Sequence, residues 1–375
     1  MDAQETTFRG RRAIRLGNDL LDLVMLPGGG HVASLRLHDS PVNPLWEPHW
    51  ATIEPEQYDA ARHPEYGRTE GKLLASIAGH MLCLNHFGEL SDAELAADGY
   101  EHGEAPNLPW TVDDFGADRQ SARLCCGVDL PEAGMHFQRT ISMRSGEARV
   151  RFEEEVTNLR RSDSPLAYQQ HVTIGAPFLE PGVTRLDLPG TQAHTFPRSS
   201  GAADPLPPDT SFTWPDAPGA GRLDVFPRAL PLEAVCTVAL EPQDDLGYVA
   251  VSNPRLGLLL AYVFPVETYP WAALWYENQG IADAPYGGRT LAWGLEFGTA
   301  ALQVGRIEML AAGPLFGRRR FGVLSARETL RTTYEALLQP IPSDWAGVAR
   351  IERTDKGLIV VERGAGRQLH VGGAK

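Results

Sequence analysis

Residues 149–158, RVRFEEEVTN, alternate in polarity: Val150, Phe152 and Val156 fall on one face, and Arg149, Arg151, Glu153 and Glu155 on the other. A period of two marks a half-buried strand, because successive side chains leave opposite faces of a pleated chain. The stretch FQRTISM at 137–143 alternates as well, and Ser145-Gly146-Glu147 supplies a turn, so the two runs predict a β-hairpin. A second hairpin is predicted over 248–264, where YVAVS and LGLLLAYVF flank the turn residues Asn253-Pro254-Arg255. Helix signals are sparse. SDAELAA at 91–97 has Ser91 as N-cap and Glu94 to complete a capping box. Residues 325–338 set a second such box, Ser325 and Glu328, against the strand formers Thr332, Thr333 and Tyr334. With 38 Gly and 29 Pro punctuating short apolar runs, the chain reads as all-β.

The 375 residues exceed the usual domain size, but large sandwiches and barrels often run long as one unit, and a single domain over 1–375 is expected. Residues 196–222, rich in Pro, Gly, Ser and Ala, read as a long surface loop within that domain, since strand-like patterning resumes after them. A formal net charge of −14 repels polyanions and argues against a nucleic-acid partner. Arg318-Arg319-Arg320 reads as a solvated turn. MDAQETTFRGRR lacks the apolar core of a secretory signal, and no apolar run is long enough for a membrane helix. Cys83, Cys125, Cys126 and Cys236 form no CxxC pair; reduced structural thiols and a cytoplasmic location are expected, with no metal or organic cofactor.

Gly28-Gly29-Gly30, with Ala33, loosely fits a dinucleotide fingerprint, which needs a helix directly after it. HVASLRLHDSPVNP alternates like a strand instead, so a hairpin turn is predicted there. Chemistry concentrates in four clusters: 79–89, with His80 and Asn85; 102–110, with His102, Glu104 and Trp110; 168–178, with His171; and 271–298, with Trp271, Trp275, Glu277, Asn278 and Glu296. On a strand, Ala292, Gly294, Glu296 and Gly298 share a face opposite Leu291, Trp293, Leu295 and Phe297. A carboxylate between two glycines has open space beside it, which suits a ligand ring. Gln169, His171 and Thr173 likewise make a polar strand face opposite Tyr168, Gln170, Val172 and Ile174. Each of these residues has a structural reading too, since a lone histidine or tryptophan in a β-rich core is commonly a packing residue.

The order of these clusters resembles that of the galactose mutarotase-like (aldose 1-epimerase) superfamily. HGEAPNLPW at 102–110 is similar to its His-Gly segment followed by a Trp. VTNLRRSDSPLAYQQHVTIGAPF resembles the strand pair that leads to its catalytic His, and LAWGLEFGT at 291–299 the late strand that carries its catalytic Glu. The likeness covers roughly residues 15–340. It implies a β-supersandwich of large, mostly antiparallel sheets around a sugar cleft, and hence a strand at 325–338. The implied reaction interconverts the α and β anomers of a free sugar, with Glu296 as base and His171 as acid. His102, His80, Asn85 and Glu104 would bind hydroxyls or the ring oxygen. Trp271 or Trp275 would stack on the sugar, and Glu277 and Asn278 would line the cleft. Two departures stand out. His171-Val172-Thr173-Ile174-Gly175-Ala176 replaces the family's His-Thr-Tyr-Phe-Asn-Leu, and its substrate-binding Asp has only Asp224 as a counterpart. The rival reading is a non-catalytic sugar-binding or sensing protein on the same fold. A phosphorylated sugar would need an arginine pair, for which Arg289 is the nearest candidate.

Overall fold

A computed structural model describes residues 1–67, 70–97 and 99–372. Two large sheets dominate it. The first has 11 strands, in the order Asp2–Phe8, Arg11–Gly17, Leu21–Leu26, His31–Leu37, His80–Leu84, Tyr168–Gly175, Leu291–Gly298, Trp271–Asn278, Leu232–Ala239, Gln192–Thr195 and Ser211–Thr213. The second has 8, in the order Arg185–Asp187, Leu246–Asn253, Leu258–Pro265, Thr329–Pro340, Arg149–Asn158, Met135–Arg144, Ser121–Leu130 and Thr111–Ala117. Neighbours at the centre of each sheet pair antiparallel, including both predicted hairpins. The main core lies between the sheets, where Leu82, Val172, Leu295 and Phe297 of the first meet Phe137, Ile141, Phe152 and Tyr262 of the second. The fold is therefore all-β, as the alternation predicts. No helix among the described residues is long and apolar enough to cross a membrane.

The conflict at 325–338 resolves as strand, because the segment is paired on both edges, with Leu258–Pro265 and with Arg149–Asn158. The capping box at Ser91 and Glu94 does form and starts a helix, Asp92–Ala96. The glycines at 28–30 join the antiparallel strands Leu21–Leu26 and His31–Leu37, with no helix behind them. The reading of 196–222 as a surface loop is corrected: the segment holds short strands at Ser211–Thr213, Asp216–Ala217 and Gly221–Arg222, and it buries Leu206, Trp214 and Ala217 in the main core. Its Pro and Gly content signalled turns but concealed those apolar anchors. The cysteines are free; Cys83, Cys126 and Cys236 are buried, and Cys125, on the opposite face from Cys126, is half-buried.

A polar network runs through the buried space between the sheets. Arg139 Nε donates to Glu154 Oε1 at 2.7 Å, with both side chains fully buried. Tyr334 donates to the same oxygen at 2.8 Å, while Gln170 Nε2, at 2.7 Å, and Tyr168 donate to Oε2. The carboxylate thus has partners for both oxygens, which a buried charge requires. Gln170 and Tyr168 belong to the strand of His171, so the network anchors that strand from behind. Arg139→Met would leave Glu154 buried and unpaired. We expect it to lower stability by about 3–5 kcal/mol, read from the midpoint of denaturant unfolding.

Candidate active site

The face of the 11-stranded sheet turned away from the main core carries the site. His171 stands in register with Met81 on one side and Glu296 on the other, and Glu296 in turn opposes Ala273. Directly opposed residues share a face, so two positions far apart in sequence meet side by side: His171 Nε2 lies 3.2 Å from Glu296 Oε1. Thr173 Oγ1, one step along the same strand face, sits 3.2 Å from His171 Nδ1 and fixes the ring. The glycines beside Glu296 serve a different purpose from the one expected. A Cβ at Gly294 would fall on Glu296 Oε1, and one at Gly298 on Gln169 Oε1. The space is taken by the carboxylate itself and by the Gln169 amide. Gln303 Nε2 donates to Glu296 Oε2.

His102 arrives from a tight turn. It has φ 58°, and Gly103, at φ 84°, packs so closely on the Leu84 carbonyl that a side chain there would clash. Asn107 Nδ2 holds the turn by donating to the carbonyls of Glu101 and Gly103 at 3.2 and 2.8 Å. The His102 ring meets that of His171 edge-on, 5.2 Å between centroids, and its Nδ1 contacts Cys83 Sγ at 3.5 Å.

His171, His102 and Gln303 border a cavity lined also by Trp275, Phe196 and Tyr286, together with Glu70, Glu101 and Glu233; Glu296 itself is fully buried next to His171 and Gln303. The segment before the strand of His80 closes it with Leu73, Leu74 and Ile77. Burial sets the protonation states. It pushes the Glu296 carboxyl up to about 8, against the pull of the Gln303 hydrogen bond, and the His171 imidazole down to about 3. His102 is also held well below the usual histidine value by burial. Glu277 is wholly buried and raised to about 7, although the N–H groups of Gly280 and Ile281 donate to its Oε1. Among the described residues, no group of three or more His, Cys, Asp and Glu side chains is arranged to hold a metal ion.

Of the residues singled out from sequence, His171, Glu296, His102 and Trp275 come together here. The others lie elsewhere. His80 points between the sheets, where its ring nitrogens meet Gln170 and Tyr262, because it is one residue out of phase with Met81 on the cavity face. Asn85, at φ 67°, accepts from Arg306. Glu104 accepts from the backbone N–H groups of Glu132 and Ala133. Trp271 is on the cavity side of the sheet but fully buried, its Nε1 donating to the Arg319 carbonyl. Asn278 braces the carbonyls of Pro227 and Ala229. Asp224 is paired with Arg185 and Arg222, and Arg289 is exposed. Glu70, Glu101, Glu233, Tyr286 and Gln303 escaped the sequence reading. Only Glu101, next to His102, and Glu233, the one charged residue of its strand, left a signal there.

Solved structures share this architecture. A galactose mutarotase-like protein from Clostridium acetobutylicum superposes with a TM-score of 0.58 at 16% identity, over 90% of this chain and 98% of that one. The fold is galactose mutarotase-like. A Klebsiella pneumoniae protein provisionally described as an aldose 1-epimerase gives a TM-score of 0.64 at 16% identity, over 89% of this chain and 80% of its own. A galactose mutarotase related enzyme from Lactobacillus acidophilus gives 0.54 at 12% identity, over 88% and 98%. Residues 129–304 match a family described as a domain of unknown function, DUF4432. That span starts in the central hairpins of the mutarotase-like fold and includes both His171 and Glu296. No curated protein matches the sequence.

Proposed function

We propose that this protein is an isomerase of the aldose 1-epimerase type, which interconverts the α and β anomers of a free sugar. The observation that carries the reading is the pairing of His171 with Glu296 at 3.2 Å beside a cavity. Opening an aldose ring removes a proton from the anomeric hydroxyl and delivers one to the ring oxygen, and closure on the other face reverses both steps. One proton shared by two groups suffices. In the free protein it rests on Glu296, since burial favours the neutral form of each partner. Glu296 Oε1 has no hydrogen-bond partner in the free protein; substrate binding draws the 3.2 Å approach of His171 Nε2 into a hydrogen bond, the proton crosses to give carboxylate and imidazolium, and Glu296 then acts as base while His171 acts as acid. Glu296 is fully buried. The anomeric hydroxyl therefore takes the position that the Gln303 amide holds against Oε2. His102 donates to the ring oxygen, and Trp275 offers its ring to the apolar face of the sugar. Arginines are absent from the cavity lining among the described residues, which favours an unphosphorylated sugar.

Polarimetry of freshly dissolved aldose anomers tests the reading: protein should speed the approach to equilibrium. Binding without acceleration would favour a sugar-binding or sensing protein. The shared proton also sets a pH profile. Above about pH 8 Glu296 ionises without protonating His171, the pair holds no proton, and the acid is lost. Below about pH 3 a second proton enters and the base is lost. The rate kcat/KM should be flat through neutrality and fall on the alkaline side near pH 8. A fall toward acid beginning near pH 6.5, with no alkaline limb, would contradict the assignment.

A further inference from the structure

Glu296 has to be reached by a substrate, yet it is 0% exposed and is not part of the cavity lining. Between its Oε2 and the cavity stands the Gln303 amide: Nε2 donates to that oxygen, and Gln303 is itself a lining residue. Oε1, beside His171, has no hydrogen-bond partner. Gln303 belongs to the loop that follows the strand of Glu296, and the backbone of that loop is pinned on both sides of it. Before it, the Gln169 side chain takes the N–H and the carbonyl of Ala300, at 2.9 and 3.1 Å, and the Ala301 N–H donates to the Arg320 carbonyl at 2.9 Å. After it, Val304 bridges to Phe87, and Gly88 packs so closely on the Gln303 carbonyl that a Cβ there would clash. The Gln303 side chain is half-buried, so it turns about its own bonds while the backbone stays in place.

Leaving Oε2 strands the donor and acceptor of the amide unless the substrate takes both. With the anomeric hydroxyl at Oε2, the anomeric carbon has two ring neighbours: the ring oxygen, which the histidines serve, and carbon 2. The hydroxyl on carbon 2 is therefore the polar group next to the place that the amide vacates, and a hydroxyl both donates and accepts, as an amide does. Resting on the isomerase reading above, we propose that Gln303 is a gate and specificity residue, which caps the base while the cavity is empty and turns to pair with the hydroxyl on carbon 2 when a sugar enters. The substrate class is then an aldose with a free hydroxyl at carbon 2, and a 2-deoxy aldose leaves the amide without a partner. In the free protein the hydrogen bond from Gln303 favours the ionised carboxylate. The titratable groups about Glu296 are His171, at 3.2 Å, and Cys83, whose thiol is held up by burial and by this carboxyl; on the other side Trp271–Asn278 presents Ala273 opposite it.

Anomer-exchange rates of glucose, galactose and ribose against their 2-deoxy forms test the gate, on the full chain and on Gln303→Met, which keeps the length of the side chain and loses the amide. For at least one pair, wild-type kcat/KM should be about ten-fold or more higher for the parent sugar, and that ratio should fall toward one in Gln303→Met. The alkaline limb of kcat/KM, which reports the free protein, should also move up by about one pH unit, since no amide then favours the carboxylate. A role in packing alone would change rates without moving the limb or the ratio. Gln303→Asn, too short to reach Oε2, should behave in the same way, and it keeps the test valid should the Met variant fail to fold. Exchange of the 2-deoxy sugars as fast as of their parents, or a ratio unchanged in the variants, would overturn the gate and leave the isomerase. Titration calorimetry on the same sugars covers the opposite case. Tighter binding of the parent sugars that depends on Gln303, without anomer exchange, would sink the isomerase and leave the pairing with carbon 2. Neither binding nor exchange with any of these sugars would overturn both.

Discussion

His171→Ala is expected to remove most of the anomerisation rate while the protein stays folded. A general acid supplies about 10²–10⁴-fold, and no other group among the described residues holds both a contact to Glu296 and a place on the cavity wall with a titratable ring nitrogen. Folding should survive because the side chain lies on the cavity face: its partners are Thr173 Oγ1, Glu296 and the edge of His102, whereas the main core is built by Val172 and Ile174 on the other face. Polarimetry against an unchanged far-UV circular dichroism spectrum is the check. A fully active His171→Ala protein would exclude the imidazole from proton transfer.

The two fully buried carboxyls on the neighbouring strands Leu291–Gly298 and Trp271–Asn278, Glu296 and Glu277, should separate by kinetics. Glu296→Gln keeps the shape, and the new amide meets Gln303 and His171, but it can neither accept nor release the shared proton. We expect kcat to fall by about two orders of magnitude or more. Glu277→Gln retains an oxygen for the N–H groups of Gly280 and Ile281, and its effect should appear mainly in KM. A group lost equally from ground and transition states leaves kcat alone. Collapse of kcat at Glu277 with Glu296→Gln nearly active would move the chemistry to the neighbouring strand.

Much of the central fold, and the strand faces that carry His171 and Glu296, were legible from period two. Alternation at 137–143 and 149–158 marked one hairpin, apolar runs about the Asn253-Pro254-Arg255 turn marked a second over 248–264, and the polar parity of Gln169, His171 and Thr173 put His171 opposite the Val172 face. Parity alone could not say which face was the cavity and which the interior. In this sandwich both are buried, and the interior carries its own polar network. His80 therefore looked like a ligand group although it serves Gln170. Asn85 and Glu104 were polar for backbone reasons, one at a left-handed turn and the other accepting from a loop. Glu70, Tyr286 and Gln303 lie outside the strands, and no periodicity announces where tertiary packing brings a loop. The acidic part of the lining comes from Glu70 and Glu101 in loops and from Glu233 on the strand Leu232–Ala239.

Exchange NMR at the anomeric protons tests the central claim most directly. With one anomer of an aldose inverted at equilibrium, added protein should transfer that inversion to the other anomer faster than solvent alone does, in proportion to protein concentration. The effect should be lost in His171→Ala. Magnetisation that stays on the inverted anomer across a panel of aldoses, while line broadening shows that the sugar binds, would contradict catalysis by the His171–Glu296 pair.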